Sequence, residues 1–264
     1  MIKFFRRIRQ RMINENRVSK YLLYAFGEII LVVIGILIAL QVNNYNNLLR
    51  IHKEEVALLK DLKRDLEIAD RQNDQRMSWF KNSQDIHYQI YKESIGEAFY
   101  DSTMHYHDLI WTQSIRDIIS ENYSLRLSDL SNEHLKRILR DYLWREQLVI
   151  EATTEWNDIK LNKLRPFLDS YGLYRTEVVF NDEPYEFMSM GKDGVIIDYW
   201  KMTELYGTEE FDQMLYYLRH SASWCLHCMG KLDEANANLN LAIDYYIDGD
   251  FEKLEIIEPL EGYY

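Results

Sequence analysis

Two cysteines in the C-terminal third of the chain have a spacing that could support redox chemistry. They occur in the string Trp224-Cys225-Leu226-His227-Cys228, so two residues separate the thiols. Thiols at this spacing can form a reversible disulfide, and a helix N-terminus can lower the pKa of the first thiol. An extracytoplasmic environment would also favour a disulfide. Cys225 and Cys228 are therefore a candidate redox pair.

The sequence around this pair favours a different interpretation. The string resembles the W-C-x-x-C motif of thioredoxin-like oxidoreductases, but no predicted strand precedes it and a predicted helix runs through it. Cysteines three residues apart in a helix lie on one face and normally pack as small hydrophobic side chains. Inert packing is therefore the favoured interpretation of Cys225 and Cys228. A structural disulfide and redox activity remain as alternatives.

Other chemical motifs are not indicated by the sequence. Four potential metal ligands near the cysteines have a spacing that fits no common zinc pattern: His220, Cys225, His227 and Cys228. His105 and His107 are two residues apart, which places them on different faces of a helix. No histidine lies three residues after a glutamate, as a di-iron bundle requires, and nucleotide-binding and hydrolase signatures are not found. We therefore predict no catalytic residues, no cofactor and no metal.

Charge is distributed unequally along the chain. The 264 residues have a net charge of −12, but residues 1–20 contain seven basic residues and one acidic residue and carry +6. The remainder therefore carries −18. A basic segment before an apolar one is typical of a cytoplasmic tail beside a membrane. The acidic remainder has no basic patch with interleaved aromatic residues, so we expect no nucleic-acid partner.

Residues 21–42 form a strongly apolar segment. Between Leu22 and Leu40 the only charged residue is Glu28. These 19 residues would span roughly 28 Å as a helix, close to the ~30 Å hydrocarbon core of a bilayer. No A-x-A-like cleavage site follows, which favours a permanent anchor over a cleaved signal peptide. The basic flank predicts a cytoplasmic N-terminus, with the bulk of the chain outside the inner membrane.

One acidic and two small residues share one side of the predicted span. Gly35 lies seven positions after Glu28, and Ala39 lies four positions after Gly35. A carboxyl group at this depth costs about 3 kcal/mol, so it needs a partner or a proton. Gly35 and Ala39 would allow close approach of a second helix. We expect this side to bind a partner span or a second copy; alternatively, Glu28 reaches the inner interface and the small residues are incidental.

The basic and apolar segments also resemble a known family. Residues 1–10 read MIKFFRRIRQ and residues 20–46 read KYLLYAFGEIILVVIGILIALQVNNYN. They resemble the N-terminal signature of domain-of-unknown-function family 6090, a family of single-pass membrane proteins of Gram-negative bacteria. The resemblance is close over residues 1–50 and loose beyond them. It implies an inner-membrane anchor, a helical outer domain and no established activity.

The chain after the apolar segment is predicted to be mainly helical. Residues 50–165 contain no proline and a single glycine, Gly96. Ser131 offers the N-cap of a long helix. Apolar residues at helical spacing predict a membrane-proximal helix with one face packed on the domain, and a coiled-coil stalk is the alternative. These residues are Leu59, Leu62, Leu66 and Ala69.

The sequence predicts three interruptions of helical structure in the C-terminal half. Residues 171–200 contain glycines and a proline around a β-like run at 176–180, which predicts an excursion between helices. The string from Gly230 to Ala235 resembles the turn and second helix of a tetratricopeptide unit. No second copy is found, so we expect a plain helical hairpin with its turn at Gly230. The acidic residues 251–264 are expected to fray.

These patterns together predict a mainly all-α membrane protein. Its parts are a basic cytoplasmic tail (1–20), a transmembrane helix (21–42), a membrane-proximal helix (43–75), a helical extracytoplasmic domain (76–249) and an acidic tail (250–264). The missing catalytic motifs favour a non-enzymatic protein-binding or scaffold protein that contacts membrane lipid and a protein partner or second copy. The alternatives are a ligand-sensing subunit that signals through a partner membrane protein, and a thiol oxidoreductase.

Overall fold

The computed structural model describes residues 18–180 and 196–260. The chain divides into two compact units, with the boundary between Ala57 and Leu58. Helix α1 extends without interruption over Val18–Ser94. In the first unit nearly all of its described side chains are exposed, whereas the second unit contains a hydrophobic core.

The described part of the second unit is built from helices. The α-helices after α1 are α2 (Ile118–Tyr123), α3 (Glu133–Ile159), α4 (Arg165–Ser170), α5 (Thr176–Val179), α6 (Tyr199–Met202), α7 (Glu209–Asp248) and α8 (Phe251–Leu254). A π-helical turn, Lys160–Leu164, joins α3 to α4, and short 3₁₀ turns cover Tyr106–Ile110, Ser124–Asp129 and Thr203–Leu205. Over residues 18–180 and 196–260 there is no strand, and one isolated antiparallel bridge pairs Tyr174 with Ile197. The predicted mainly all-α class is confirmed.

The core of the second unit lies between its long helices. Helices α3 and α7 pack against each other, and both contribute apolar stripes that the structure buries. On α1, the predicted stripe Leu59, Leu62 and Leu66 is buried with at most 1% exposure. This face therefore packs within the domain, as expected, and does not form the seam of a coiled-coil stalk.

Helix ends differ from the sequence prediction in two places. The membrane-proximal helix was expected to end near residue 75, but α1 continues to Ser94 because apolar residues recur at helical spacing through Phe80, Ile86 and Ile90. The N-cap of α3 is Asn132, whose side-chain oxygen accepts a hydrogen bond from the backbone N–H of Leu135 at 2.8 Å. The expected cap, Ser131, instead lies 2.9 Å from the hydroxyl of Tyr246.

The predicted hairpin at Gly230 is wrong. Helix α7 runs through Gly230 from the Thr208 N-cap to the C-cap Gly249, where φ is +75°. A left-handed backbone is needed only at Gly249, so the helix ends there and not at Gly230. The β-like run is also wrong, because 176–179 form the helical turn α5. Residues 181–195 of the predicted excursion lie outside the described residues.

The C-terminal segment is attached to the bundle over residues 251–260, so the expected fraying is not found there. Leu254 is fully buried, and the carbonyl of Ile257 lies 2.7 Å from Nε2 of His134. The side chain of Arg145, itself 3% exposed, donates to the carbonyl of Leu260 at 2.8 Å. Two buried side chains of α3 therefore hold this segment.

Replacement of Gly230 by alanine tests the continuous helix α7. A Cβ at this position meets no heavy atom within 4 Å, and alanine is favoured over glycine in a helix interior by roughly 1 kcal/mol. We expect Gly230→Ala to stabilise the protein by about that amount in thermal or denaturant unfolding. The matched control is Gly249→Ala, which we expect to be destabilising because φ is positive there. If Gly230→Ala instead destabilised the protein, the result would support the predicted hairpin with its turn at Gly230.

Candidate functional site

The two cysteines lie in the interior of helix α7, far from its N-terminus. Cys225 is fully buried and Cys228 is 3% exposed, and both are free thiols. Burial raises the pKa of Cys225 to about 12 and that of Cys228 to about 11. The thiolate, which is the reactive form, is therefore strongly disfavoured at both positions. This geometry supports packing and argues against a redox role.

The histidines that the sequence suggested as ligands are engaged with aromatic rings. The ring of His227 stacks on Trp224 at 5.6 Å between centroids, and the ring of His220 stacks on Tyr216 at the same distance. No group of three or more His, Cys, Asp or Glu side chains is placed to hold a metal ion within the described part of the chain. The side chain of His107 is outside the described residues.

The three residues proposed as a membrane face lie in the first unit. Glu28, Gly35 and Ala39 are all exposed on α1. A Cβ added at Gly35 meets no heavy atom within 4 Å. The helical periodicity brings the three residues to within about 40° of one another around the axis. The assembly face formed by these residues therefore stays a prediction.

A group of buried polar side chains in the second unit was not predicted from the sequence. We call it the polar core cluster, and it comprises Ser83, His87, Thr153, Trp156 and Lys160. None of these side chains is more than 2% exposed. The ring centroids of His87 on α1 and Trp156 on α3 are 5.7 Å apart, which joins the two halves of the cluster. The cluster therefore lies inside the bundle.

Several polar atoms of this cluster are buried without a hydrogen-bond partner. They are the hydroxyls of Ser83 and Thr153, both ring nitrogens of His87 and the indole nitrogen of Trp156. The thiol of Cys225 lies beside Thr153, but not in a geometry that satisfies the hydroxyl. A buried polar group with no partner costs about 1–3 kcal/mol. Five such atoms in one place need a physical explanation.

Lys160 provides the charged end of the cluster. Its ammonium donates to the backbone carbonyls of Trp111 at 2.7 Å and Asp108 at 3.2 Å. The same nitrogen lies 4.2 Å from the ring centroid of Trp156, in a cation–π arrangement. Burial lowers the pKa of Lys160 well below its usual value. Lys160 also begins the π-helical turn, a feature often found at functional sites.

The His87 imidazole is held in its neutral form. Burial lowers its pKa well below 6.5, and the positive charges of Lys160 and Arg219 lower it further. Arg219, on α7, donates to the backbone carbonyl of Gln84 at 3.0 Å. The electrostatic environment of His87 is therefore positive, which disfavours a cation at this place.

A second buried polar group surrounds Glu93 near the end of α1. Its carboxylate accepts hydrogen bonds from the hydroxyls of Tyr106 (2.7 Å), Tyr199 (2.5 Å) and Tyr206 (2.9 Å), and from the Gln89 amide (2.9 Å). Burial and the Glu93 carboxylate raise the pKa of the tyrosines. Because both carboxylate oxygens have donors, this network is satisfied and serves to join α1 to α6.

A weak sequence signal for the polar core cluster does exist. Phe80, Ser83, His87 and Ile90 follow 3,4,3 spacing, which places two polar residues in the buried register of α1. Val149, Thr153, Trp156 and Lys160 do the same on α3 with 4,3,4 spacing. The pattern shows that these residues face inward. It cannot show that the two stripes face each other.

Comparison with known proteins gives one match. Residues 28–93 match the model of a family of unknown function, DUF6090. The predicted family is confirmed over this segment. The match covers about a quarter of the chain, beginning at Glu28 and ending at Glu93, so it lies entirely on α1. No curated protein and no solved structure matches the chain.

The DUF6090 segment contains part of both units. It includes the exposed residues Glu28, Gly35 and Ala39, and it extends to His87 and Glu93 in the bundle. The family has no established activity that could be assigned to these residues. Any function has to be inferred from the geometry of this chain.

Thiol accessibility tests the interpretation of the cysteines. We expect both thiols of the folded, detergent-solubilised protein to react with a water-soluble disulfide reagent at least 100-fold more slowly than after denaturation. The reason is that neither thiol is exposed and neither is ionised near neutral pH. The amount of reagent thiolate released over time at pH 7.5 measures this reaction. Rapid reaction of Cys225 in the native protein would revive the oxidoreductase alternative.

Proposed function

We propose that the protein is a single-pass inner-membrane protein whose helical domain, residues 58–260, binds protein partners outside the cytoplasm. The observation that carries the proposal is the uncovered apolar part of α1. This helix is long and apolar enough to cross a membrane, and none of its most apolar window is buried. Buried soluble helices hide such a surface in a core, whereas a lipid bilayer covers it directly.

The distribution of basic residues supports the orientation. Seven basic residues and one acidic residue precede the span, whereas Arg50 and Lys53 are the nearest basic residues after it. By the positive-inside rule, the basic flank stays in the cytoplasm. The C-terminal domain would then lie in the periplasm.

A binding role fits the domain better than catalysis at the predicted redox pair. Its free thiols are sequestered, and the Glu93 network is fully hydrogen-bonded. Large aromatic side chains are exposed close to that network: Trp200 is 68% exposed and its ring lies 5.4 Å from that of Tyr100. Exposed tryptophan and tyrosine are enriched in protein interfaces.

A ligand-sensing subunit is the second candidate, and the polar core cluster favours it. Polar groups without partners in the centre of a domain are expected where a small molecule is bound. Such a subunit would pass its signal through the span of a partner protein. The assembly face at Glu28, Gly35 and Ala39 could contact such a partner.

A topology reporter tests the membrane proposal. We expect alkaline phosphatase fused after residue 264 to be active in cells, because this enzyme needs the oxidising periplasm, and a fluorescent protein that folds only in the cytoplasm to be dark. As a control, the same reporters are fused after residue 20, before the span, and should show the opposite pattern. Cytoplasmic behaviour of the C-terminal fusion would contradict the proposed orientation.

Bulky substitutions on α1 test the assembly face. We expect Gly35→Leu to reduce crosslinked oligomers or co-purified partners several-fold, because leucine keeps the second helix from approaching closely. Glu28→Leu should act in the same direction by removing the polar contact. Gly27→Leu is the matched control, since it adds the same side chain about 100° away from Glu28 around the helix. Unchanged assembly in both Gly35→Leu and Glu28→Leu would remove the case for this face.

A further inference from the structure

We propose that the polar core cluster is a binding site for a small carboxylate monoanion such as formate or acetate. The site lies between α1 and α3, within the second unit, and goes beyond the protein-binding function proposed above. It is carried by five buried polar atoms that have no hydrogen-bond partner, on two helices whose His87 and Trp156 rings lie 5.7 Å apart between centroids. These atoms belong to Ser83, His87, Thr153 and Trp156.

The hydrogen-bonding capacity of the cluster defines what it can bind. The indole nitrogen of Trp156 can only donate a hydrogen bond, and neutral His87 donates from one ring nitrogen. The hydroxyls of Ser83 and Thr153 can also donate. An occupant that satisfies them must therefore accept several hydrogen bonds at once. The two oxygens of a carboxylate provide about four acceptor positions.

The charged groups around the cluster favour an anion. Lys160 lies at one end, and Arg219 acts on His87 from α7. Of the side chains whose charges act on Lys160, Asp108 is negative and Arg165 is positive, so the basic groups outnumber the acidic one. A monoanion is favoured over a dianion because a second buried charge costs additional desolvation energy.

Binding should be coupled to protonation of His87. In the unoccupied protein, burial and the neighbouring Lys160 and Arg219 keep the imidazole neutral. An adjacent carboxylate would favour the imidazolium form and turn both ring nitrogens into donors. The Cys225 thiol lies beside Thr153, where the Glu155 carboxylate also acts on it, and its raised pKa keeps it neutral. Binding of one carboxylate would therefore be accompanied by uptake of one proton at His87.

This coupling has a definite sign in the stability of the protein. Without an anion, the pKa of His87 in the folded state lies well below its unfolded value of 6.5. The unfolded chain therefore binds the proton more readily, and folding stability falls as pH decreases through about 6.5. A carboxylate that binds with His87 protonated reverses this loss. Its apparent Kd should fall by up to tenfold for each pH unit between pH 7.5 and 5.5.

The test uses the full chain in detergent micelles or lipid nanodiscs. Thermal unfolding is followed at pH 7.5 and pH 5.5 with sodium formate, sodium acetate or sodium chloride at equal ionic strength. We expect formate or acetate to raise Tm in a saturable manner, with the larger shift at pH 5.5, and chloride to have no such effect. No saturable shift with either carboxylate would overturn the proposal and leave ordered water as the occupant. An equal shift with chloride would overturn the assignment to carboxylates.

Matched variants assign the effect to the cluster. His87→Phe keeps a buried ring but has no ring nitrogen, so we expect it to lose the carboxylate shift and its pH dependence. The control His227→Phe changes an exposed, stacked histidine on α7 and should respond as the wild type does. If His87→Phe does not fold, Thr153→Val provides the test instead. We expect it to weaken carboxylate binding at least several-fold and to keep the pH dependence of that binding. A full response in Thr153→Val or in folded His87→Phe would overturn the proposal. Failure of the carboxylate proposal would leave the proposed membrane topology untouched, because the reporter fusions measure that topology separately.

Discussion

The apolar surface of α1 between Leu22 and Leu40 is the constraint on which the rest of the protein depends. Its side chains are exposed, and each large apolar side chain left in water forgoes about 1.5–3 kcal/mol relative to burial. Fourteen of these nineteen positions carry such exposed side chains, which is the pattern that a lipid environment accommodates. The helix that meets this requirement continues to Ser94, so the same element also supplies one wall of the bundle.

Two buried polar side chains on α1 differ in whether their hydrogen-bonding groups have partners. Glu93 receives four donors and forms a satisfied network, which is a stable way to bury a carboxylate. His87 lies six residues earlier and has no donor or acceptor on either ring nitrogen. The first arrangement stabilises the fold as it stands. The second is expected where the interior interacts with another molecule, and this difference separates a structural cluster from a candidate binding site.

Predictions from local sequence succeeded where local physics decides the outcome. The apolar length of α1, the helical class and the buried stripe from Leu59 to Leu66 all depend on spacing within one segment. Gly230 shows where this reasoning fails. Glycine lowers helix propensity by only about 1 kcal/mol, and the buried residues on both sides of it, such as Met229 and Leu232, supply more than that by packing. Tertiary packing therefore keeps α7 continuous through a position that resembles a turn.

The sequence by itself determined the apolar segment of membrane-spanning length, its basic flank, the helical class and the family match, because each depends on composition or periodicity along one stretch of chain. The helical spacing of Ser83, His87, Thr153 and Lys160 with their apolar neighbours is a weaker signal, and it did not lead to a prediction of the polar core cluster. Only the tertiary structure decided that these residues meet, that Lys160 reaches the carbonyls of Asp108 and Trp111, and that Cys225 and Cys228 are sealed in the core. The physical reason is that contacts between residues far apart in the chain depend on how helices pack, and helical periodicity carries no information about which faces become neighbours.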